Sequence, residues 1–214
     1  MLSNLEPQKQ KSPLGDSGVK MRIGIYSGSF NPIHSGHQQL AQYLIEHKLV
    51  DEVWFVVSPC NPLKNQRDLI DEYIRLEMVV FAISDQHGLK ASDIEFTMPI
   101  PSYSIDTLHE LSSQYPDFQF NLIIGSDNAL VFDQWKEYEK LLAEYPVLVY
   151  PRKGSDFAEV AQKYPQMQLL DSPYYDISSS QIREWIAQKK DVAKWLHPSV
   201  YQIIIDNNLY QSPL

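Results

Sequence analysis

Cysteine occurs once in the 214 residues, at Cys60, so the chain cannot form an internal disulfide, and it lacks the CxxC spacing of zinc clusters. The longest apolar runs, such as residues 78–83, are far shorter than the roughly 20 residues that a membrane-spanning helix needs. Positive charge is scarce, because 18 Lys and Arg stand against 27 Asp and Glu, which gives a net charge of −9. This balance argues against binding to nucleic acid or to an anionic membrane, but it leaves room for a small anionic ligand.

The N-terminal segment differs in composition from the rest of the chain. Residues 1–20 are polar and contain no continuous apolar stretch, so they do not resemble a secretory signal. We therefore expect a disordered polar leader over 1–20 and one domain over 21–214, which with 43% hydrophobic residues can build a sizeable core. A single cysteine is typical of a reducing cytoplasm, whereas the oligomeric state cannot be read from these features.

From Met21 onward, short apolar runs alternate with helical patterns. The predicted strands cover residues 21–26, 53–57, 91–96, 118–124, 147–150 and 168–170. The predicted helices cover residues 36–48, a segment capped by Asp68, and residues 104–114, 135–144, 156–163, 179–188 and 198–207. Strands joined by helical crossovers predict an α/β fold: a single Rossmann-like, doubly wound, mostly parallel sheet with helices on both faces. Ligands of such sheets bind at the carboxyl ends of the strands.

The segment 28–37, GSFNPIHSGH, directly follows the first predicted strand and opens the first helix. Its glycines allow close backbone approach, and the helix N-terminus offers unpaired N–H groups and a positive dipole end. His34 and His37 lie at the same helix start, where both could donate to a phosphate. Taken singly, each histidine could instead be an ordinary capping or solvent-exposed residue.

Two further segments follow the second and third predicted strands. Lys64 lies on a proline-stiffened loop from which it could reach a phosphate, although a solvated surface lysine is the alternative. In residues 101–108, PSYSIDTL, Ser104 is a suitable N-cap, so this segment could be no more than a helix start.

The fourth and fifth segments lie in the second half of the chain. Gly125 follows a buried strand, Asp127 could accept hydrogen bonds from ribose or cap the next helix, and Trp135 could line a cleft or belong to the core. Residues 177–183, ISSSQIR, combine serine hydroxyls, a helix start and Arg183, which together suit an anion.

Together these segments resemble the motifs of the nicotinate mononucleotide adenylyltransferases, a branch of the nucleotidyltransferase α/β superfamily. The resemblance matches 28–37 to GG(T/S)F(D/N)PxHxGH, 101–108 to PSYTxDTL, 125–135 to GxDxxxxFxxW and 177–183 to ISSTxIR. It extends from Gly24 to Tyr210 in the same order. The sequence departs from the pattern where Asn31 replaces the commoner Asp, where Leu63 replaces a His, and where Met98 and Pro99 replace an upstream Arg.

The resemblance implies transfer of the AMP moiety of ATP to nicotinate mononucleotide, giving deamido-NAD and pyrophosphate, without a protein nucleophile. It implies catalytic roles for His34, His37, Lys64 and Arg183. The ATP-binding residues that it implies are Gly28, Ser29, Phe30, His34, His37, Gly125, Asp127, Ile177, Ser179 and Arg183. The residues that it implies for nicotinate mononucleotide are Asn31, Lys64, Tyr103, Ser104, Trp135 and Arg152. Magnesium would be held mainly by ATP phosphates and water, because no carboxylate cluster in the sequence suggests an all-protein metal site.

Several alternatives remain at this level. Pantetheine-phosphate adenylyltransferases share the HxGH and Ser/Arg segments, but they typically lack the PSYSIDTL and GSDN…W pair. Nicotinamide mononucleotide could replace the acid, since backbone amides can make that choice. A nucleotide-binding module without catalysis is a third alternative, although it would be free to lose His37 or Arg183. Class I aminoacyl-tRNA synthetases also use a HIGH-like helix start, but 214 residues with a net charge of −9 leave no room for tRNA recognition.

Overall fold

The computed structural model describes residues 20–59 and 69–211, and its centre is a parallel β-sheet. The strands within this part of the chain are β1 (Met21–Gly28), β2 (Glu52–Val57), β3 (Leu89–Ser92), β4 (Phe118–Gly125), β5 (Val147–Tyr150) and β6 (Gln168–Leu169). Their order is β3-β2-β1-β4-β5-β6, and each neighbouring pair is parallel. The chain leaves β1 to one side and later returns to β4 on the other side. This confirms the predicted doubly wound α/β fold and places the switch point between β1 and β4.

The helices connect successive strands. Their bounds are α1 (Ser35–Glu46), α2 (Glu72–Ala82), α3 (Ser104–Gln114), α4 (Ser126–Leu130), α5 (Tyr138–Glu144), α6 (Phe157–Lys163), α7 (Ser179–Ala187) and α8 (Pro198–Asp206). Short 3₁₀ turns cover Ile94–Thr97, Phe132–Gln134 and Ala193–Trp195. None of the helices in the described part of the chain is long and apolar enough to cross a membrane.

Alternation along the strands divides the core into two clusters, one on each face of the sheet. In β4, Ile123 packs with the cluster under α1, α2, α7 and α8, whereas its neighbours Leu122 and Ile124 pack with the cluster under α3 to α6. Both faces of the sheet are therefore covered, as expected of parallel strands that are apolar on both sides.

Two predicted elements in the first half of the chain are corrected. The predicted strand 91–96 ends at Ser92 and is followed by a 3₁₀ turn, because the Glu95 side chain turns inward to meet three hydroxyl groups. The second helix does not begin after Asp68, which lies outside the described residues. It begins at Glu72, where the Asp71 carboxylate caps the N–H groups of Tyr73 and Ile74.

Two predicted helix starts near the cleft are also corrected. Ser104 is the first helical residue of α3 rather than its cap, since Tyr103 occupies the N-cap position. The predicted helix 135–144 begins only at Tyr138, because Glu137 adopts a left-handed conformation with a φ of 50°. Trp135 therefore lies outside a helix, just after a 3₁₀ turn. Residues 1–19 of the expected leader lie outside the described residues.

Candidate active site

A cleft of about 530 Å³ opens at the carboxyl edge of the sheet, between the ends of β1 and β4. The structure brings residues from four of the five sequence segments into its wall. Those from the predicted set are Gly28, Ser29, Phe30, Asn31, His34, His37, Tyr103, Ser104, Gly125, Trp135, Arg152, Ser179 and Arg183. Ile177 lies in a small recess beside the cleft, next to His34. Lys64 lies outside the described residues.

The two histidines stack at the N-terminus of α1, with ring centroids 3.7 Å apart. The backbone N–H of His34 donates to Nδ1 of His37 over 3.2 Å. Because Nδ1 accepts this bond, the neutral His37 ring carries its proton on Nε2, which makes Nε2 a hydrogen-bond donor. The local geometry therefore fixes the tautomer of His37.

His34 is almost fully buried, and both of its ring nitrogens lack a hydrogen-bond partner. Burial, helped by the positive charge of Arg152, lowers the pKa of His34 to about 3. The ring is therefore neutral near pH 7, with one donor and one acceptor nitrogen. Buried polar atoms without partners are costly, so this pair of nitrogens marks a place suited to a polar ligand.

The N-terminus of α7 faces the histidines across the loop that follows β1. Ser178 caps the helix by accepting from the N–H of Gln181, and the Ser179 hydroxyl donates to the Pro32 carbonyl at 2.8 Å. Arg183 donates from Nη1 to the Asn31 carbonyl at 2.9 Å, while its buried Nε has no partner. A helix N-terminus and a guanidinium thus lie together at one end of the cleft, an arrangement suited to phosphate.

The wall at the end of β4 and β5 holds Arg152 beside an acidic side chain. A Cβ at Gly125 would overlap the side chains of Asp127 and Arg152, so a larger residue there would displace both of them. The Arg152 Nε lies 3.9 Å from the Asp127 carboxylate, and its guanidinium lies over the Tyr150 ring at 5.3 Å. Burial acts to lower the pKa of Arg152, but nearby Tyr150 and Asp127 raise it more, so this side chain stays charged. Arg152, predicted for the mononucleotide, therefore lies beside Asp127 and His34, which were predicted for ATP.

The opposite wall is aromatic. Trp135 is half-buried and packs on Phe132, with ring centroids 4.9 Å apart, and its Nε1 has no hydrogen-bond partner. Tyr103 carries the Lys136 ammonium 5.1 Å from its ring centroid, and Lys136 also pairs with Asp106 at 2.8 Å. Trp135 thus packs against the core and also borders the cleft.

Sequence reasoning missed three polar residues around the cleft: Glu95 and Arg75, which are buried, and Tyr210, which is half-buried. The Glu95 carboxylate accepts from the hydroxyls of Ser58, Ser102 and Thr107 at 2.6–3.0 Å and joins the end of β2 to the start of α3. Arg75 and Tyr210 hold the loop after β1. Arg75 could have been suspected, since it lies three and four residues before Met78 and Val79 on the apolar stripe of α2.

Comparisons with known proteins agree with this geometry. Residues 25–185 match the cytidylyltransferase-like family. The chain is 50% identical over 187 residues to a probable nicotinate-nucleotide adenylyltransferase of Bacteroides fragilis (strain YCH46), covering 87% of this chain and 92% of the relative. It is 41% identical over 192 residues to one of Flavobacterium johnsoniae, covering 89% of this chain and all of the relative. Among solved structures, the nicotinic acid mononucleotide adenylyltransferase of Plasmodium falciparum complexed with NaAD superposes with a TM-score of 0.77. That structure is 25% identical in sequence, over 90% of this chain and 98% of that one.

Proposed function

The chain belongs to the cytidylyltransferase-like family and, within it, to the nicotinate-nucleotide adenylyltransferases, and from this premise we propose that it transfers AMP from ATP to nicotinate mononucleotide. The products are deamido-NAD and pyrophosphate. The observation that carries the proposal is the cleft itself. One end, at α1 and α7, has groups suited to bind phosphate, and the aromatic side chains of Tyr103 and Trp135 form a wall. A cytoplasmic location, where ATP is available, is part of the same proposal.

The reaction needs positioning and charge stabilisation rather than a protein nucleophile. A phosphate oxygen of the mononucleotide attacks the α-phosphorus of ATP, a new P–O–P bond forms, and pyrophosphate leaves with the electron pair of the broken bond. The Nε2–H of His37 and the guanidinium of Arg183 supply donors where negative charge develops. The neutral His34 ring lends a further hydrogen bond without adding charge.

We assign the other predicted residues to the two ends of the cleft. Ser179 and the N–H groups of α7 hold the terminal phosphates of ATP, and Gly125 with Asp127 bind its adenosine. Tyr103, Ser104 and Trp135 border the nicotinate end. Arg152 is close enough to His34 and Asp127 to balance the charge of either nucleotide near the reacting phosphates. The catalytic role predicted for Lys64, which lies outside the described residues, stays a prediction.

A divalent cation is typical of this family. Within residues 20–59 and 69–211, no group of three or more His, Cys, Asp or Glu side chains is arranged to hold a metal ion. The half-exposed Asp127 carboxylate lies 3.9 Å from Arg152 Nε and belongs to no such group. These residues suit a magnesium ion held mainly by ATP phosphates and water, which when bound would neutralise phosphate charge.

Pyrophosphate release from ATP tests the proposal, with the acid and the amide mononucleotide offered separately. We expect kcat/KM to be at least about tenfold higher for the acid, about 1.4 kcal/mol, because the N-terminus of α3 offers N–H groups to a carboxylate. Equal values for the two would favour an enzyme that uses both. Activity with phosphopantetheine alone would favour the pantetheine-phosphate alternative, and nucleotide binding without turnover would favour a non-catalytic module.

A His37→Ala variant tests the assigned role of this histidine. Loss of one preorganised donor should lower kcat by about 10²-fold or more. His87→Ala, which changes an exposed histidine outside the cleft, is the matched control and should behave as wild type. Near-normal turnover of His37→Ala would remove His37 from the mechanism.

A further inference from the structure

The loop after β1, which carries Asn31 and His34 and leads into α1, has an unusual backbone. Phe30 has a φ of 44°, in the left-handed region that bulky residues rarely adopt, yet its ring is buried. Such a conformation is strained and persists only where surrounding contacts hold it. The contacts that hold this loop therefore matter for the geometry of the cleft.

Arg75 holds one side of this loop. Its side chain is fully buried, and Nη1 donates to the carbonyls of Ser29 and Ser58, each at 2.7 Å. It thereby joins the loop after β1 to the end of β2. The part of the loop that accepts from Arg183 comes two residues after Ser29, at Asn31.

Tyr210 holds that part. It comes from the segment after α8, and its hydroxyl donates to the Asn31 side-chain oxygen at 2.7 Å, although 179 residues separate the two. Burial raises the pKa of Tyr210 well above its usual range, against the opposing effect of Arg183 and Arg75, so the hydroxyl keeps its proton and acts as the donor.

Asn31 and its neighbour carry the contacts to α7. The Asn31 carbonyl accepts from Arg183 and the Pro32 carbonyl accepts from Ser179, at 2.9 and 2.8 Å. A chain of hydrogen bonds thus runs from Tyr210 through Asn31 to Arg183. Both Arg183 and Ser179 belong to the end of the cleft that we assign to the terminal phosphates of ATP.

We propose that Tyr210 is a positioning residue for the ATP site: its hydroxyl fixes Asn31, and Asn31 in turn fixes Arg183 and the N-terminus of α7. The segment after α8 is then a structural part of the active site rather than a peripheral tail. This inference rests on the proposed function for its kinetic consequence, but not for its effect on nucleotide binding.

The test compares Tyr210→Phe with Tyr43→Phe in the full chain. Each variant removes one tyrosine hydroxyl that donates to an oxygen, and the Tyr43 bond, to the Asp171 carbonyl at 2.8 Å, lies away from the cleft. For Tyr210→Phe we expect the KM for ATP and the Kd of a non-hydrolysable ATP analogue to rise about fivefold, the effect of one lost hydrogen bond. The KM for nicotinate mononucleotide should change less than about twofold, and Tyr43→Phe should match wild type in all three constants.

The possible outcomes separate this inference from the proposed function. If Tyr210→Phe binds the analogue as wild type does, while Tyr210→Ala binds it weakly, Tyr210 acts by packing and the inference fails. If Tyr210→Phe raises the KM for ATP and the KM for nicotinate mononucleotide by the same factor, Tyr210 is not specific to the ATP site and the inference also fails. If the wild type makes no deamido-NAD, the proposed function fails, and Tyr210 is still judged by the affinity for the analogue.

Discussion

His34 and Arg152 show how burial sets the chemistry of single residues in this cleft. A histidine and an arginine lie close together, yet only the arginine is charged near pH 7, because burial and the neighbouring cation both lower the pKa of His34. The cleft thereby gains hydrogen-bonding groups without repulsion between two cations.

The stability of the chain should fall below pH 6.5 because of His34. Its pKa is 6.5 in the unfolded chain and about 3 in the folded chain, so between these values the unfolded state binds more protons. Stability therefore rises with pH across this window, and lowering the pH from 7.5 to 5 should cost about 2 kcal/mol through this residue. Urea denaturation at both pH values measures it.

The matched variants are His34→Gln and His87→Gln. In His34→Gln, the free energy of unfolding lost between pH 7.5 and pH 5 should be smaller than in the wild type by about 2 kcal/mol. In His87→Gln, which changes an exposed side chain, this loss should equal that of the wild type. Using the difference between two pH values cancels whatever His34→Gln costs by itself. The same pH dependence in both variants would contradict a neutral buried His34.

Trp135→Ala tests whether this side chain contributes mainly to binding nicotinate mononucleotide in the cleft or to packing in the core. If the ring stacks on the nicotinate end, the KM for nicotinate mononucleotide should rise by an amount equivalent to roughly 1–3 kcal/mol, with ATP nearly unaffected. A fully buried tryptophan would instead cost about 3–5 kcal/mol of stability. Trp195→Ala is the control, because Trp195 is also half-buried but packs on the other core cluster. A large drop in Tm, with equal shifts of the KM values for nicotinate mononucleotide and ATP, would show that Trp135 acts mainly as a core residue.

At the scale of elements, the cleft depends on two helix N-termini lying close together. Gly36, in the first turn of α1, allows the close approach of the two helices. A Cβ at this position would come within 2.8 Å of Cγ2 of Ile177, which lies just before α7. Since that methyl belongs to a β-branched side chain with a restricted χ1, it can move aside only by leaving its preferred rotamer or by a shift of the backbone.

Gly36→Ala should therefore destabilise the chain by about 1–3 kcal/mol, although alanine is usually the better helix residue. In an Ile177→Ala background the 2.8 Å contact is removed and only the His34 ring, at 3.2 Å, remains close, so the same change should cost less there, with a coupling of about 0.5–3 kcal/mol. Urea denaturation of the four proteins measures the coupling. If Gly36→Ala costs the same free energy of unfolding in both backgrounds, the contact between residues 36 and 177 does not limit how closely the two helices approach.

Element bounds were predictable where a local pattern determines them. The prediction of residues 104–114 as a helix and 147–150 as a strand is confirmed, since each has clear periodicity and clear ends. The strand predicted over 91–96 is confirmed only as far as Ser92. Its second half was wrong because Glu95 accepts hydrogen bonds from hydroxyl groups of distant segments, which periodicity does not indicate. The helix predicted over 135–144 is confirmed from Tyr138 to Glu144, and only its start was wrong, because Glu137 adopts a left-handed conformation.

The candidate site was predictable where its residues occur in contiguous motifs. The residues at the start of α1 and α7 meet at one cleft because both helices begin at the carboxyl edge of the sheet. Tyr210 could not be found in this way, since its partner Asn31 is 179 residues earlier and neither flanking sequence encodes the contact. The roles of the individual residues stay predictions until variants are measured.

At the scale of the whole molecule, the cleft joins the two core clusters. β1 and β4 pass through both, since Tyr26 packs in one cluster and Ile25 in the other, and the cleft lies at the carboxyl ends of these two strands. A ligand in the cleft therefore touches elements from both faces of the sheet. We expect the two faces to unfold together, in one cooperative transition.

A non-hydrolysable ATP analogue should consequently stabilise the whole chain. At a free concentration 100 times its Kd, a ligand that binds only the folded state adds about 2.7 kcal/mol. For a chain of this size each kcal/mol raises Tm by about 2–4 °C, so the single transition should move up by roughly 5–11 °C. Scanning calorimetry with and without the analogue measures the shift, and Arg183→Gln at the same absolute concentration should show a smaller one. Two transitions of which the analogue moves only one would mean that the faces of the sheet unfold separately, and that the cleft belongs to one of them alone.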